Sequence, residues 1–444
     1  MENQGSENNK NGIFSSKFGF ILACVGSAVG LGNIWMFPYR LGQYGGAAFL
    51  IPYLLFIALF GYVGLSAEIA IGRMARTGTL GSYDLCWKKT KHLKLGKILR
   101  WLPLAGSLGI ATGYTIIIGW VLRYLFGSAS GAIFKFSSTN YFSQITGNFG
   151  SIVWHSAVLV ITFLVLCTNA VSRIEKVSKV MMPVFFLMFA CLAVRVFFLP
   201  GSAGGYEFLF IPKWDALLRI DTWVMAMGQA FFSLSITGSG MIVYGSYLKK
   251  DANIVHASMY TALFDTLAAL LSALAIMPAV FSFKIEPTSG PSLMFLAIPE
   301  IFKRIPMGRL FAFIFFFSVL LAGITSLINM FEAVIESLQH ELKMPRKAAV
   351  LLSIFLSFLI GVFFENSNSV GNLMDFITIL IVPFGAVFGA VSIYYILGKH
   401  KIEEELNCGR NKKLPKAFFT IARYIYVPLT ILIFVLGIAY KGIG

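Results

Sequence analysis

The run Gly26-Ser27-Ala28-Val29-Gly30-Leu31-Gly32-Asn33-Ile34-Trp35 limits the possible folds more than any other part of this 444-residue chain. It lies in the middle of the first long apolar segment. Each glycine inside a helix costs about 1 kcal/mol relative to alanine, so three glycines and an asparagine predict a broken helix. In a membrane, loosened backbone is tolerated only where it is buried in protein or lines a cavity. Such a break leaves N–H and C=O groups unpaired at mid-membrane, where they can hold a carboxylate and a cation. A second break is expected five apolar segments later, at Thr237-Gly238-Ser239-Gly240. Two interrupted segments in corresponding places point to a secondary transporter built from inverted repeats.

The chain is 57% hydrophobic and 13% charged, whereas soluble domains carry about 25% charged residues. Apolar runs of roughly spanning length, about 20 residues, are expected at 18–42, 48–72, 99–127, 152–170, 178–199, 221–246, 256–282, 307–338, 347–364, 371–397 and 417–440. The fold class is therefore all-α integral membrane with about 11 transmembrane helices. Segments one to five (18–199) and six to ten (221–397) each open with an interrupted helix. Because five is odd, the second unit enters from the opposite side, giving a 5+5 inverted repeat. Around the repeats lie an N-terminal segment (1–17), an outer loop (200–220), an inner loop (398–416) and a last helix with a short C-terminus (417–444). The run from Gly290 to Lys303 is amphipathic enough for a short lid helix, although Pro287, Pro291 and Pro299 oppose it. Gly109-x-x-x-Gly113 and Gly385-x-x-x-Gly389 read as close helix-packing faces.

The net charge of +16 does not point to nucleic acid. With the N-terminus cytoplasmic, roughly 24 of the 36 Lys and Arg fall on the cytoplasmic side and about nine outside, as the positive-inside rule requires. Topology and anionic-lipid contact account for this charge. The expected location is the plasma (inner) membrane. Residues 1–12 are polar, are expected to be disordered, and lack the features of a signal peptide. The five cysteines are scattered and show no disulfide or zinc spacing, and the five histidines form no cluster.

Longer matches run along the chain. They are Gly30-Leu-Gly-Asn-Ile-Trp-Met-Phe-Pro-Tyr39, Gly45-Gly-Ala-Ala-Phe-Leu-Ile-Pro-Tyr53, Gln229-Ala-Phe-Phe-Ser-Leu-Ser235, Tyr244-Gly-Ser-Tyr-Leu-Lys-Lys-Asp251 and Ala322-Gly-Ile-Thr-Ser326. In this order they resemble the neurotransmitter:sodium symporter family and its LeuT-like bacterial members. The resemblance implies a LeuT-type fold with helices 1 and 6 broken, two bound sodium ions and an amino-acid substrate.

Sodium is a hard cation that favours oxygen ligands. By resemblance, one sodium site would use Ala28, Asn33, Ser233 and Asp265 together with the substrate carboxylate. The other would use Gly26, Val29, Ala322, Thr325 and Ser326, although the last two hydroxyls could instead bond back to their own helix. The substrate carboxylate would sit on the N–H groups of Leu31 and Gly32 and on Tyr114, which could otherwise be a packing residue. The amine would face carbonyls of Ala28, Phe232, Ser233 and Ser235. Ser27, Gly30, Ile110, Gly238, Ser239, Ser326 and Met330 complete the implied pocket.

Monoamine carriers of the family have an Asp where this chain has Gly30, so an amino acid is expected here. A Gly kept for a tight helix contact is the other reading. Gly238 stands where LeuT-like members carry Phe, and Ser239 is short. The space left implies a bulky apolar or aromatic side chain, tyrosine or tryptophan, as in tyrosine-carrying bacterial members. Glu68 would brace the second break, or else pair with Arg73 at the interface. Animal members hold chloride with a Tyr, a Gln, a Ser and an Asn. Here Tyr53, Gln229 and Ser233 are joined by Asp265, which would supply the anion itself, so no chloride requirement is expected. Asp265 could alternatively bond Thr261 or Tyr260. A fixed carboxylate there can also take up a proton when the cation leaves.

The chain departs from the family pattern at its gates. Met36 replaces the outer-gate Arg, leaving Arg40 to meet Asp375. At the inner gate, His340 and Glu341 stand near a usual Asp, and Phe14 replaces a usual Trp. A membrane enzyme would need clustered His, Cys or paired carboxylates, which the sequence lacks. A sensor on the same scaffold would be expected to carry long signalling tails. A proton-coupled carrier would more naturally place Lys or a carboxylate at Thr325–Ser326.

Overall fold

The computed structural model describes residues 12–88, 90–167, 170–286 and 290–442. The expected disorder of residues 1–12 therefore falls outside the described residues except at Gly12, as do Lys89, Pro287, Ile443 and Gly444.

The described chain is helical, with no strand. Seven helices are long and apolar enough to cross a membrane: Gly46–Ala75, Leu93–Ser130, Val171–Phe197, Ile254–Ser282, Gly308–Leu342, Ser367–Leu397 and Ala417–Ala439. An eighth span is the pair Lys17–Ala28 and Gly32–Gln43, bent by 59° at its break. Three shorter elements complete eleven: Ile152–Leu166, the pair Ile220–Ser233 and Gly240–Ser246, and Arg346–Val362. They are called spans 1 to 11 in chain order.

Span 1 starts at Ser16, whose hydroxyl accepts the Gly19 N–H at 3.0 Å and caps the helix. It stops at Ala28, as the glycine-rich run requires. The second break is longer, from Leu234 to Ser239, and places Ser235 (φ +52°) and Gly238 (φ +73°) in the left-handed region.

Span 5 differs from its expected bounds. It begins at Ala170 rather than 178, and span 4 ends at Leu166. The first three turns of span 5 carry Arg173, Glu175, Lys176 and Lys179, so its hydrophobic pattern begins later than its helix. Glu175 explains why so polar a start packs inward. Its carboxylate accepts the Ser15 N–H and hydroxyl at 2.6 Å and the Ser16 hydroxyl at 2.8 Å, tying the chain entrance to span 5.

Small residues let the broken elements approach their neighbours. A Cβ on Gly72 of span 2 would lie 1.8 Å from the Ile242 carbonyl oxygen, and one on Gly245 would lie 2.2 Å from that of Ile69. The second half of span 6, Gly240–Ser246, is thus in backbone contact with span 2. Gly109 and Gly113 of span 3 receive Ile377 and Met374 of span 10. Gly385 and Gly389 of span 10 receive the second break. Both glycine pairs are close-packing faces. The expected lid helix is also present: residues 290–304 are helical, ending in Ile298–Arg304.

Candidate functional site

The two breaks meet around one cavity, joined where the Ser235 hydroxyl donates to the Ser27 carbonyl at 3.1 Å. The cavity holds about 660 Å³ of unfilled space, its mouth included. Of the residues expected at the substrate, Ser27, Ala28, Gly30, Gly32, Ile110, Tyr114, Phe232, Ser233, Ser235, Ser326 and Met330 line it. Asn33, Ser107, Ile236, Thr237, Asn329 and Val382 line it as well. Ser107 and Asn329 stand one turn from Ile110 and Ser326, a helical spacing that the sequence carries. Val382 is brought in by the packing of span 10, for which the local sequence has no signal.

Leu31, Gly238 and Ser239 do not line the cavity. The volume argument at Gly238 therefore fails. A Cβ there would point at the Gly385 carbonyl oxygen, 2.5 Å away, not into the pocket. The Gly238 carbonyl accepts the Tyr83 hydroxyl at 2.8 Å, and its N–H donates to Glu68 Oε1 at 2.7 Å. Glu68 thus braces the break. Arg73 is engaged elsewhere, with Glu405 at 2.5 Å and the Ala252 carbonyl at 2.6 Å. Ser239 lies behind the wall and bonds Ser107 and Thr237.

Gly30 faces the cavity. A Cβ added there would lie 3.2 Å from Tyr114 Oη and 3.3 Å from Ser326 Oγ. A side chain at this position would enter the space between the first break, Tyr114 and Ser326.

Oxygen atoms converge at two places beside the cavity. At the first, Asn33 Nδ2 donates to Asp265 Oδ1 at 2.8 Å and to Ser233 Oγ at 3.2 Å. The Ser233 hydroxyl donates to Asp265 Oδ2 at 2.6 Å. Asn33 Oδ1 accepts the Gly30 N–H at 3.0 Å. Asp265 is fully buried, and Thr261 bonds its own helix at Ala257 instead. A buried carboxylate beside a hydroxyl and an amide oxygen supplies oxygen donors of the kind a hard cation takes. Two residues of the expected anion pocket flank it. Tyr53 Oη is buried with no partner among the described residues. Gln229 Oε1 accepts Arg40 Nη1 at 3.2 Å. Asp375, the expected mate of Arg40, is exposed near the start of span 10.

At the second place, Ser326 Oγ lies 3.1 Å from the Val29 carbonyl oxygen and 3.3 Å from that of Gly26. Thr325 Oγ1 donates to its own helix, at Leu321 (3.1 Å) and Ala322 (2.9 Å). It also packs on Gly26, where an added Cβ would lie 3.3 Å from Oγ1. Back-bonding and cation binding are compatible here. The hydroxyl proton goes to the helix, and the oxygen keeps a lone pair. The donor set is all oxygen, as sodium or another hard cation requires.

The region expected to form the inner gate contains a contact with no signal in the sequence. Fully buried Glu332 accepts the Tyr247 hydroxyl at 2.7 Å and Arg346 at 2.7 and 3.1 Å. Phe14 packs edge-on against Tyr244 at 5.9 Å between ring centres. Glu341 instead bonds Arg100 at 2.8 Å. Glu332 has no local signal because its partner Arg346 lies on the next helix, 14 residues on.

Membrane-length helices with two broken spans around an oxygen-lined cavity define a secondary transporter of the LeuT-type fold. The chain belongs to the Sodium:neurotransmitter symporter family, whose sequence pattern matches residues 11–144 and 131–441. It is 33% identical to the sodium-dependent transporter YhdH of Bacillus subtilis, over 96% of this chain and 97% of that one. It is 30% identical to the sodium-dependent transporter MJ1319 of Methanocaldococcus jannaschii, over 89% and 84%. Among solved structures, MhsT in complex with L-phenylalanine matches with a TM-score of 0.85 and 29% identity, covering 96% of this chain and 99% of that one.

Proposed function

We propose that the protein couples sodium entry to uptake of an α-amino acid with a bulky apolar or aromatic side chain, without a chloride requirement. The observation that carries this reading is the cavity itself. Gly30 leaves room for a substrate carboxylate between the first break and Tyr114, beside two oxygen clusters suited to sodium. Ile110, Phe232, Ile236, Met330 and Val382 line the rest of the wall and suit an apolar side chain. The L-phenylalanine in MhsT supports the same class.

Two sodium ions are assigned, one to each cluster. The carboxylate would help bind the first ion and the ion would help bind the carboxylate, each raising the other's affinity by the same factor. Asp265 occupies the place where an anion is needed. A second anion a few Å away would be repelled by several kcal/mol, so chloride has no role. The lysine and arginine distribution supports a plasma-membrane location with a cytoplasmic N-terminus. The direct test is uptake of labelled amino acids into proteoliposomes with and without a sodium gradient. Tyrosine, tryptophan and phenylalanine should lead the panel. A profile led by glycine or alanine would overturn the substrate assignment.

A further inference from the structure

We infer that Ser107, Ser239 and Thr237 form a hydroxyl-reading end of the cavity that favours an aromatic amino acid bearing a ring hydroxyl over the same ring without one. This rests on the amino-acid reading above.

Ser107 Oγ and Ser239 Oγ are 3.1 Å apart, and Ser239 Oγ and Thr237 Oγ1 are 2.9 Å apart. Three hydroxyls bring three protons and six acceptor lone pairs. The two contacts use two protons. None of the three hydroxyls has another hydrogen-bond partner among the described residues. Whichever way the chain is oriented, one O–H donor and several lone pairs are left over. Ser239 is fully buried, while Ser107 and Thr237 line the cavity and offer lone pairs to its interior, together with the spare O–H whenever Ser239 donates to one of them. The neighbouring wall is apolar, made by Ile110, Phe232 and Ile236. Polar groups left half-satisfied in such surroundings call for a polar partner from the ligand.

The distance selects the kind of ligand. Tyr114, at the carboxylate end, and Ser107 lie on one helix, seven residues apart. That is about 10 Å along its axis, or two turns. A substrate anchored at Tyr114 and Gly30 reaches Ser107 only with a long side chain. The hydroxyls of serine and threonine stop short, and phenylalanine reaches the region with no polar atom. The phenol of tyrosine supplies both a donor and an acceptor across an apolar ring. A neutral hydrogen bond of ordinary strength corresponds to roughly a three- to tenfold preference.

The test is equilibrium binding of labelled tyrosine and phenylalanine to the purified full-length protein in sodium, compared as a ratio of affinities. Wild type should favour tyrosine by about that factor. Ser107→Ala and Thr237→Val should each bring the ratio close to one, and Thr237→Ser, which keeps the hydroxyl, should restore it. Because the readout is a ratio, partial loss of folded protein does not imitate the effect. Equal affinities in wild type, as when water fills the site, or a ratio unmoved by both substitutions, would overturn the inference while leaving aromatic transport intact. Failure of both ligands to bind would instead remove the underlying substrate reading.

Discussion

Replacing Asp265 by Asn removes a charge while nearly preserving shape, which makes it an informative perturbation. The carboxylate accepts from Asn33 Nδ2 at 2.8 Å and from the Ser233 hydroxyl at 2.6 Å. In Asp265→Asn, the new carbonyl can still accept from Asn33. The new amide N–H can donate to Ser233, whose hydroxyl can rotate and accept. The geometry therefore survives and the charge does not. Even a sodium ion as far as about 5 Å from the carboxylate, at an effective dielectric constant near 20, is attracted by about 3 kcal/mol, so this is a lower bound for an ion the carboxylate touches. Losing that attraction should weaken sodium binding by roughly two decades. Tyr53 Oη, buried with no partner among the described residues, then becomes a donor for a diffusible anion beside Gln229 and Ser233. The assay is uptake into proteoliposomes with chloride exchanged for gluconate. Wild type should be indifferent, and Asp265→Asn should regain sodium-driven uptake only with chloride. Wild-type uptake that collapses in gluconate, or a mutant with unchanged sodium affinity, would refute the reasoning.

Thr325→Ala with Ser326→Ala should remove one of two bound sodium ions, read as a fall in stoichiometry in radiolabelled sodium binding; an unchanged count would mean the second cluster is not an ion site. Glu68→Ala strands the buried Gly238 N–H and should cost about 1–3 kcal/mol of stability, whereas Glu68→Gln keeps an acceptor and should cost less. Thermal unfolding of the two variants checks that order. Arg40 and Asp375 are proposed to act together in outer gating. A double-mutant cycle on transport rate should give a coupling of about 1 kcal/mol or less, and strictly additive effects would mean that they do not interact.

Much of the fold was legible because its strongest signals are local. Spanning length, broken helices and small-residue faces are written in consecutive residues, and the breaks at Ala28–Gly32 and Leu234–Gly240 follow from glycine placement. The start of span 5 was not legible, since its buried charged group, the Glu175 carboxylate, is held by Ser15 and Ser16 from far along the chain. At the site, Asn33, Ser233, Asp265 and Ser326 came together as the motifs implied. Gly238 did not, because its direction is set by a left-handed backbone and by Gly385 rather than by its place in a motif. Val382 depends on packing between distant segments, and the Glu332–Arg346 pair on how the consecutive spans 8 and 9 fold against each other, which single-segment patterns do not encode.

The central claim is that the oxygen clusters at the two breaks couple sodium to an amino acid. It is tested most directly by uptake of labelled tyrosine into proteoliposomes under an imposed inward sodium gradient, with the membrane potential clamped. The account predicts accumulation above the external concentration that disappears when the gradient is dissipated or potassium replaces sodium. Accumulation that persists without sodium and follows an imposed proton gradient would contradict it.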